Sequence, residues 1–218
     1  MLEFVNVSKS FWTGKQRKVI LDRASFRVEL GHSFGILARN GTGKTTVMQM
    51  MGGLEKPDEG YIRKTCRVSP PMGFLGGLIA SHTGRENART IARIYGIDPD
   101  YMEAFCRWCC SLEEYFEMPV STYSSGMKSQ LSLAIMLGAD FDMYLIDEGM
   151  PQASDKGFAA RAGSILKQRL ETATLVIVSH QVATLEKFCR SAAVLHHGQL
   201  VKYDTLDEAR REYDRLSN

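Results

Sequence analysis

Two periodicities alternate along this chain and divide it into three stretches. Residues 2–7 alternate weakly between apolar and polar. Residues 24–30, Ala-Ser-Phe-Arg-Val-Glu-Leu, alternate strictly, and both runs predict half-buried strands. The short apolar run 33–37 predicts a buried strand and 47–51 a helix after it. A turn at 56–60, Lys-Pro-Asp-Glu-Gly, leads to a short strand at 61–63. A further strand at 67–69 is expected to stop at Pro70-Pro71. From about 84 to 139 the spacing turns helical. Ala88, Ile91, Ala92 and Tyr95 share one face of a helix that Gly96 ends, and Asp98-Pro99 caps and starts the next. The α/β rhythm then resumes. Strands are expected at 143–146 and 175–178, helices at 158–170 and 181–188, and a hairpin with strands 192–195 and 200–203 around His197-Gly198. A charged, exposed helix is expected at 207–216. The fold class is therefore α/β, interrupted by a helical insertion.

Composition narrows the function classes. The 218 residues suit one domain with a subdomain. A net charge of +2 gives no electrostatic footprint for nucleic acid, so no nucleic-acid partner is expected. No apolar run approaches the roughly 18 residues of a membrane span. The opening residues lack the basic and apolar order of a signal peptide. Five cysteines, an odd number, suggest no disulfide framework. Cys106, Cys109 and Cys110 cluster without a second pair at zinc spacing and read as reduced, small apolar residues on a helix. A cytosolic compartment follows.

The candidate chemistry centres on 37–46, Leu-Ala-Arg-Asn-Gly-Thr-Gly-Lys-Thr-Thr, between the expected buried strand and its helix. Strand, glycine-rich turn, Lys-Thr and helix is the layout of a nucleotide-phosphate loop. Here the loop runs through Arg39, Asn40, Gly41, Thr42, Gly43, Lys44, Thr45 and Thr46. The glycines allow a tight turn that aims several N–H groups at one anion. Lys44 can reach the β and γ phosphates, and the Thr45 hydroxyl can ligate Mg²⁺. A glycine turn before an ordinary helix is the plainer account. The pattern opens with glycine, but this chain has Ala38, which either strains the loop or sits at negative φ, where alanine is harmless.

Four further positions fit the same chemistry. The strand at 143–146 ends in Asp147-Glu148. Carboxyl ends of parallel strands face the ligand crevice, so Asp147 can hold Mg²⁺ and Glu148 can polarise the water that attacks the γ-phosphate. Otherwise the strand simply runs into a solvated acidic turn. Ser124, Ser125 and Gly126 precede a helix over 128–139, as an anion site or as a serine cap without a ligand. His180 follows the strand at 175–179 and stands within reach of a γ-phosphate, or is only solvated. Phe11 and Trp12, expected in a loop after the first strand, can stack on an adenine ring or pack on the core.

In this order and spacing, the loop at 39–46, Ser124-Ser125-Gly126, Asp147-Glu148 and His180 resemble the ATP-binding subunits of ABC transporters over nearly the whole chain. The resemblance implies a RecA-like phosphate-loop core with an antiparallel β subdomain and a helical subdomain inserted at about 84–139. It implies ATP and Mg²⁺ as cofactors and ATP hydrolysis coupled to transport. Two copies would dimerise with ATP at the interface, the signature of one closing over the loop of the other. A separate permease at the inner membrane would dock around 70–83. Thr83-Gly84-Arg85-Glu86-Asn87, Arg93-Ile94-Tyr95-Gly96 and Tyr123-Ser124-Ser125-Gly126-Met127 look like the subfamily that exports capsular polysaccharide. The resemblance also admits O-antigen or teichoic acid exporters; a soluble ABC ATPase on ribosomes or DNA and a catalytically weakened regulator stay open. The chain is not expected to carry an appended glycan-binding domain. Besides Ala38, two departures stand out. Ser125 occupies a position that is usually glycine, and Ile79 stands where the family places a glutamine that contacts Mg²⁺ and the attacking water.

Overall fold

The computed structural model describes residues 1–72, 77–147 and 155–217. They form two compact units: 1–71, 141–147 and 172–217 lie in the first, and 72, 77–140 and 155–171 in the second.

The first unit contains two sheets. One is antiparallel, in the order β2-β1-β4, from β1 (Leu2–Thr13), β2 (Gln16–Val28) and β4 (Glu59–Lys64). The other has the order β5-β6-β7-β3-β8-β9, from β3 (Phe34–Ala38), β5 (Val68–Pro71), β6 (Met143–Asp147), β7 (Thr174–Ser179), β8 (Ser191–His196) and β9 (Gln199–Tyr203). Strands β5 to β8 are parallel, and β9 returns antiparallel through the turn at His197 and Gly198, both at positive φ. Helix α1 (Lys44–Gly52) packs its Val47, Met48, Met50 and Met51 into one core with the inward residues of both sheets.

Both long strands of the antiparallel sheet exceed the sequence expectation, for one reason. In β1 the inward residues are Leu2 and Phe4, then Val7 and Lys9. An irregularity between Phe4 and Val7, with Asn6 at φ 49°, switches the inward parity from even to odd. In β2 a register shift leaves Ile20 and Leu21 both buried. Hydroxyls repair the ladder there: Asn6 N–H donates to Ser25 Oγ at 2.9 Å and Arg23 N–H to Ser8 Oγ at 3.1 Å. Gly60 lies opposite the irregularity at φ 74°, where a Cβ would overlap the carbonyls of Val5 and Asn6. Pro70 and Pro71 were expected to stop a strand at 67–69, but they lie inside β5. This is tolerated because β5 is an edge strand bonded on one side only. Ser69 Oγ accepts from Leu145 N–H at 3.0 Å and so joins the two strands across the prolines. Two helices complete the unit, α6 (Val182–Glu186) and α7 (Leu206–Ser217). The sequence reading makes the last helix exposed; Ala209 is in fact fully buried and Leu206 nearly so, where α7 packs on β8.

The second unit is helical: α2 (Gly84–Tyr95), α3 (Pro99–Cys109), α4 (Ser125–Gly138) and α5 (Lys156–Leu170). It is not one contiguous insertion, because α5 returns after β6 to pack on α3 and α4. Capping explains the helix starts. Thr83 and Glu86 form a reciprocal capping box on α2, and Asp98, Ser124 and Asp155 cap α3, α4 and α5. Cys106, Cys109 and Cys110 are buried around the end of α3. Desolvation pushes all three thiols up, so they remain neutral packing groups.

Candidate functional site

The turn from β3 into α1 has the geometry expected of a phosphate loop. Gly41 is at φ 81° and Gly43 at φ 108°, conformations open to glycine. Thr42 closes the turn: its N–H donates to Arg39 O at 3.3 Å and its hydroxyl to the same oxygen at 2.8 Å. Lys44 Nζ donates to Asn40 Oδ1 at 3.0 Å, which lays the lysine back along the loop. Ala38 continues the extended backbone of β3, fully buried, so its lack of glycine's freedom is harmless.

Helix α1 also begins differently from the others. Thr205 and Glu208 cap α7 as Thr83 and Glu86 cap α2. Among the described residues, α1 is the one helix of nine residues or more with no side-chain cap, and it has no acid in its first turn. A first turn without a capping side chain, together with the positive end of the helix dipole, suits an anion.

Strand register brings the other expected groups to the same edge. Asp147 pairs with Val178 and Leu37 with Ser179, so His180 follows β7 at the level of Ala38. With neighbouring strands about 4.8 Å apart, Asp147 lies about 10 Å across β7 from Ile36, three residues before the loop. Asp147 is half-buried and His180 exposed. The His180 carbonyl accepts a bond from Tyr213 Oη on α7 at 3.3 Å. On the far side of β3, Leu195 pairs with Ala38, and His196 follows beside Arg39. Partial burial, with His197 and Arg39 adding to it, pushes His196 below the ordinary histidine value. Glu148, the expected water-activating acid, lies outside the described residues.

Phe11 and Trp12 lie in β1 and not in a loop: Phe11 pairs with Lys18 and Trp12 with Arg17, close to the hairpin turn. The side-chain alternation puts them on opposite faces. Phe11 shares a face with buried Lys9, while Trp12 is 70% exposed on the other. Neither packs in the core. Lys18 and Ile20, two apart on β2, share the Phe11 face, and Ile20 touches the phosphate loop: a Cβ on Gly43 would lie 2.5 Å from Ile20 Cγ2.

In the helical unit, Ser124 Oγ accepts from Met127 N–H at 3.2 Å, so α4 starts at Ser125 and not at 128. Ser124, Ser125 and Gly126 are all exposed. Ile79 is 42% exposed, and its main chain is clamped by Asn87, which the sequence reading quoted only as a resemblance. Asn87 Oδ1 accepts from Ile79 N–H at 2.7 Å, and Nδ2 contacts the carbonyls of Ile79 at 3.0 Å, Thr83 at 2.9 Å and His82 at 3.3 Å. Its signal was available: an asparagine on the otherwise apolar face of an amphipathic helix. The same loop is tied to the stretch before the signature by Ser121 N–H to Ala80 O and Val120 N–H to His82 O, both 2.8 Å.

The sheet order and the loop define a RecA-like phosphate-loop fold of mixed α/β type. Comparison with known proteins agrees. The model for the ABC transporter family matches residues 21–150. The capsule polysaccharide export ATP-binding protein CtrD of Neisseria meningitidis serogroup B is 37% identical over 99% of this chain and 100% of its own. The ATP-binding protein BexA of Haemophilus influenzae is 36% identical over 98% of each. The ATP-binding cassette MJ0796, in a dimeric post-hydrolysis structure with ADP and Pi, superimposes with a TM-score of 0.72 at 20% identity, over 94% of this chain and 99% of its own. The chain belongs to the ABC transporter family, as an ATP-binding domain.

Proposed function

We propose that this chain is the ATP-hydrolysing subunit of an exporter of capsule-type polysaccharide. It works as a dimer with ATP between the copies and drives a separate permease from the cytoplasmic face of the inner membrane. The observation that carries the ATPase reading is the shared sheet edge: the uncapped loop–α1 turn, Asp147 and His180 stand at the carboxyl ends of three adjacent parallel strands. The polysaccharide class rests on the likeness to CtrD along its full length. Among the described residues no helix is long and apolar enough to cross a membrane, which suits a subunit that acts through a partner.

The roles follow from charge and position. The N–H groups of 41–46 and Lys44 hold the β and γ phosphates. Thr45 and Asp147 offer the oxygen ligands a hard cation takes. Mg²⁺ takes one or two protein ligands and completes its shell with phosphate oxygens and water. The metal would neutralise charge on the transferring phosphoryl group. Glu148 accepts the proton of the attacking water, and His180 orients the γ-phosphate. Ser124, Ser125 and Gly126 of the second copy close over that phosphate, so binding favours the closed dimer and hydrolysis releases it.

The purified chain should hydrolyse ATP in a Mg²⁺-dependent way. Lys44→Ala should abolish tight ATP binding, and Glu148→Gln should keep binding while turnover falls by about 10² or more. Restoration of surface capsule in a strain lacking its own export ATPase tests the substrate class. Wild-type affinity in Lys44→Ala sinks the site assignment. An active ATPase that never restores capsule sinks the glycan.

A further inference from the structure

Lys9 is 8% exposed, and all three of its ammonium protons are taken. Nζ lies 2.6 Å from Glu55 Oε1, 2.9 Å from Lys56 O and 3.1 Å from Asp58 Oδ1. These acceptors sit in the turn that ends α1, where Glu55 N–H donates back to Gln49 O at 3.3 Å. Asp58 also grips the strand that carries Lys9: Oδ2 accepts from Ser10 N–H at 2.7 Å, and Asp58 N–H donates to Ser8 O at 2.9 Å. The Lys9 ammonium stands 5.0 Å from the centroid of the Phe11 ring, two residues along the same face. The ammonium is nearly buried while Glu55 and Asp58 stay partly exposed, and the three acceptors together fix the head of Lys9 in one place.

We propose that Lys9 is a positioning residue for the purine ring of the bound nucleotide. Fixed to α1 through Glu55, Lys56 and Asp58, it holds one face of Phe11 and leaves the other for stacking. The ring is thereby set in register with the phosphate loop at the other end of the same helix. The contact of Ile20 with Gly43 supports that register, because Ile20 shares the Phe11 face. The inference rests on the reading of the loop as an ATP site and adds what fixes the base.

The test compares Mg²⁺-ATP with inorganic tripolyphosphate by titration calorimetry on the full chain. In Lys9→Met, ATP affinity should fall about tenfold while triphosphate affinity stays within about twofold. Phe11→Ala should give the same split, and Lys9→Met should add nothing to it. Equal loss for both ligands means general disruption and overturns the inference, as does unchanged ATP affinity. If Lys9→Met does not fold, Phe11→Ala decides alone: ATP affinity at the wild-type level overturns the inference. Wild-type protein that binds triphosphate as well as ATP overturns it while leaving the phosphate loop intact. Wild-type protein that binds neither overturns the reading of the site, and the inference with it.

Discussion

Gly43→Ala tests whether the phosphate loop is held by backbone conformation, by packing, or by both. Gly43 caps α1 at φ 108°, ψ 20°, where an alanine is strained by about 1–2 kcal/mol. Its new Cβ would also lie 2.5 Å from Cγ2 and 2.9 Å from Cδ1 of Ile20, a side chain only 2% exposed. Relieving that overlap costs about another 1–3 kcal/mol. The single variant should therefore lose about 2–5 kcal/mol. Placed on Ile20→Ala, the same substitution should cost only the backbone share, so the two changes should couple favourably by about 1–3 kcal/mol. Equilibrium urea denaturation of the four proteins measures this directly. ATP titration adds a second readout: the double variant should regain stability relative to the sum of the singles but not affinity, because relieving the overlap does not restore the N–H directions. A Gly43→Ala cost below about 0.5 kcal/mol, or the same cost in both backgrounds, refutes the reasoning.

Other perturbations read other parts of the molecule. Asn87→Asp keeps the acceptor for Ile79 N–H but sets a carboxylate against three carbonyls at a site 1% exposed; urea denaturation should show a loss of about 2–4 kcal/mol, and a loss under about 0.5 would show that the clamp is idle. His180→Ala should slow hydrolysis while ATP affinity holds, and unchanged turnover would remove it from the site. Ile79→Gln should raise basal hydrolysis by returning an amide oxygen to the metal and the water, and the 42% exposed side chain leaves room for it; equal rates, with and without the permease, place the glutamine function elsewhere. Asp58 is held below the usual carboxylate value, first by the Ser10 N–H and also by Lys9. A depressed carboxylate contributes above its unfolded value and loses that contribution as pH falls through the folded one. The stability gap between wild type and Asp58→Asn should thus be level near neutrality and close below about pH 4. A gap that does not close in acid means the carboxylate is not the source of it.

The fold was most legible where period and capping agreed. The expected strand at 143–146 and the hairpin around His197-Gly198 lie within a residue of the observed elements, because buried parallel strands and a turn with two positive-φ residues leave strong local marks. The antiparallel sheet was read short for a physical reason. A period-two pattern identifies a strand only while parity holds, and β1 changes parity at Asn6 while β2 doubles its inward residues at Ile20 and Leu21. Phe11 was assigned to a loop by the same failure, since it lies on the strand beyond the irregularity. Prolines in β5 misled in the opposite direction: their cost depends on whether a strand has neighbours on both sides, which is a property of the sheet and not of the segment.

The site shows what kind of chemistry a linear pattern carries. Gly41, Gly43, Lys44 and Thr45 lie within five residues because one turn and one helix end suffice for the proposed anion site, so their order is visible in the sequence. Asp147 and His180 are legible only as strand ends; what brings them to one sheet edge is register across β7, which pairs Asp147 with Val178 and sets His180 level with Ala38. Lys9, Asn87 and Ile20 carry no motif, because each acts through a contact made far along the chain or across a helix turn. Ala38 joins the two cases. A motif rule expects glycine there, yet the structure extends β3 through it and begins the turn one residue later. The demand for glycine belongs to the backbone angle and not to the place in the pattern, and in this chain that angle falls at Gly41 and Gly43.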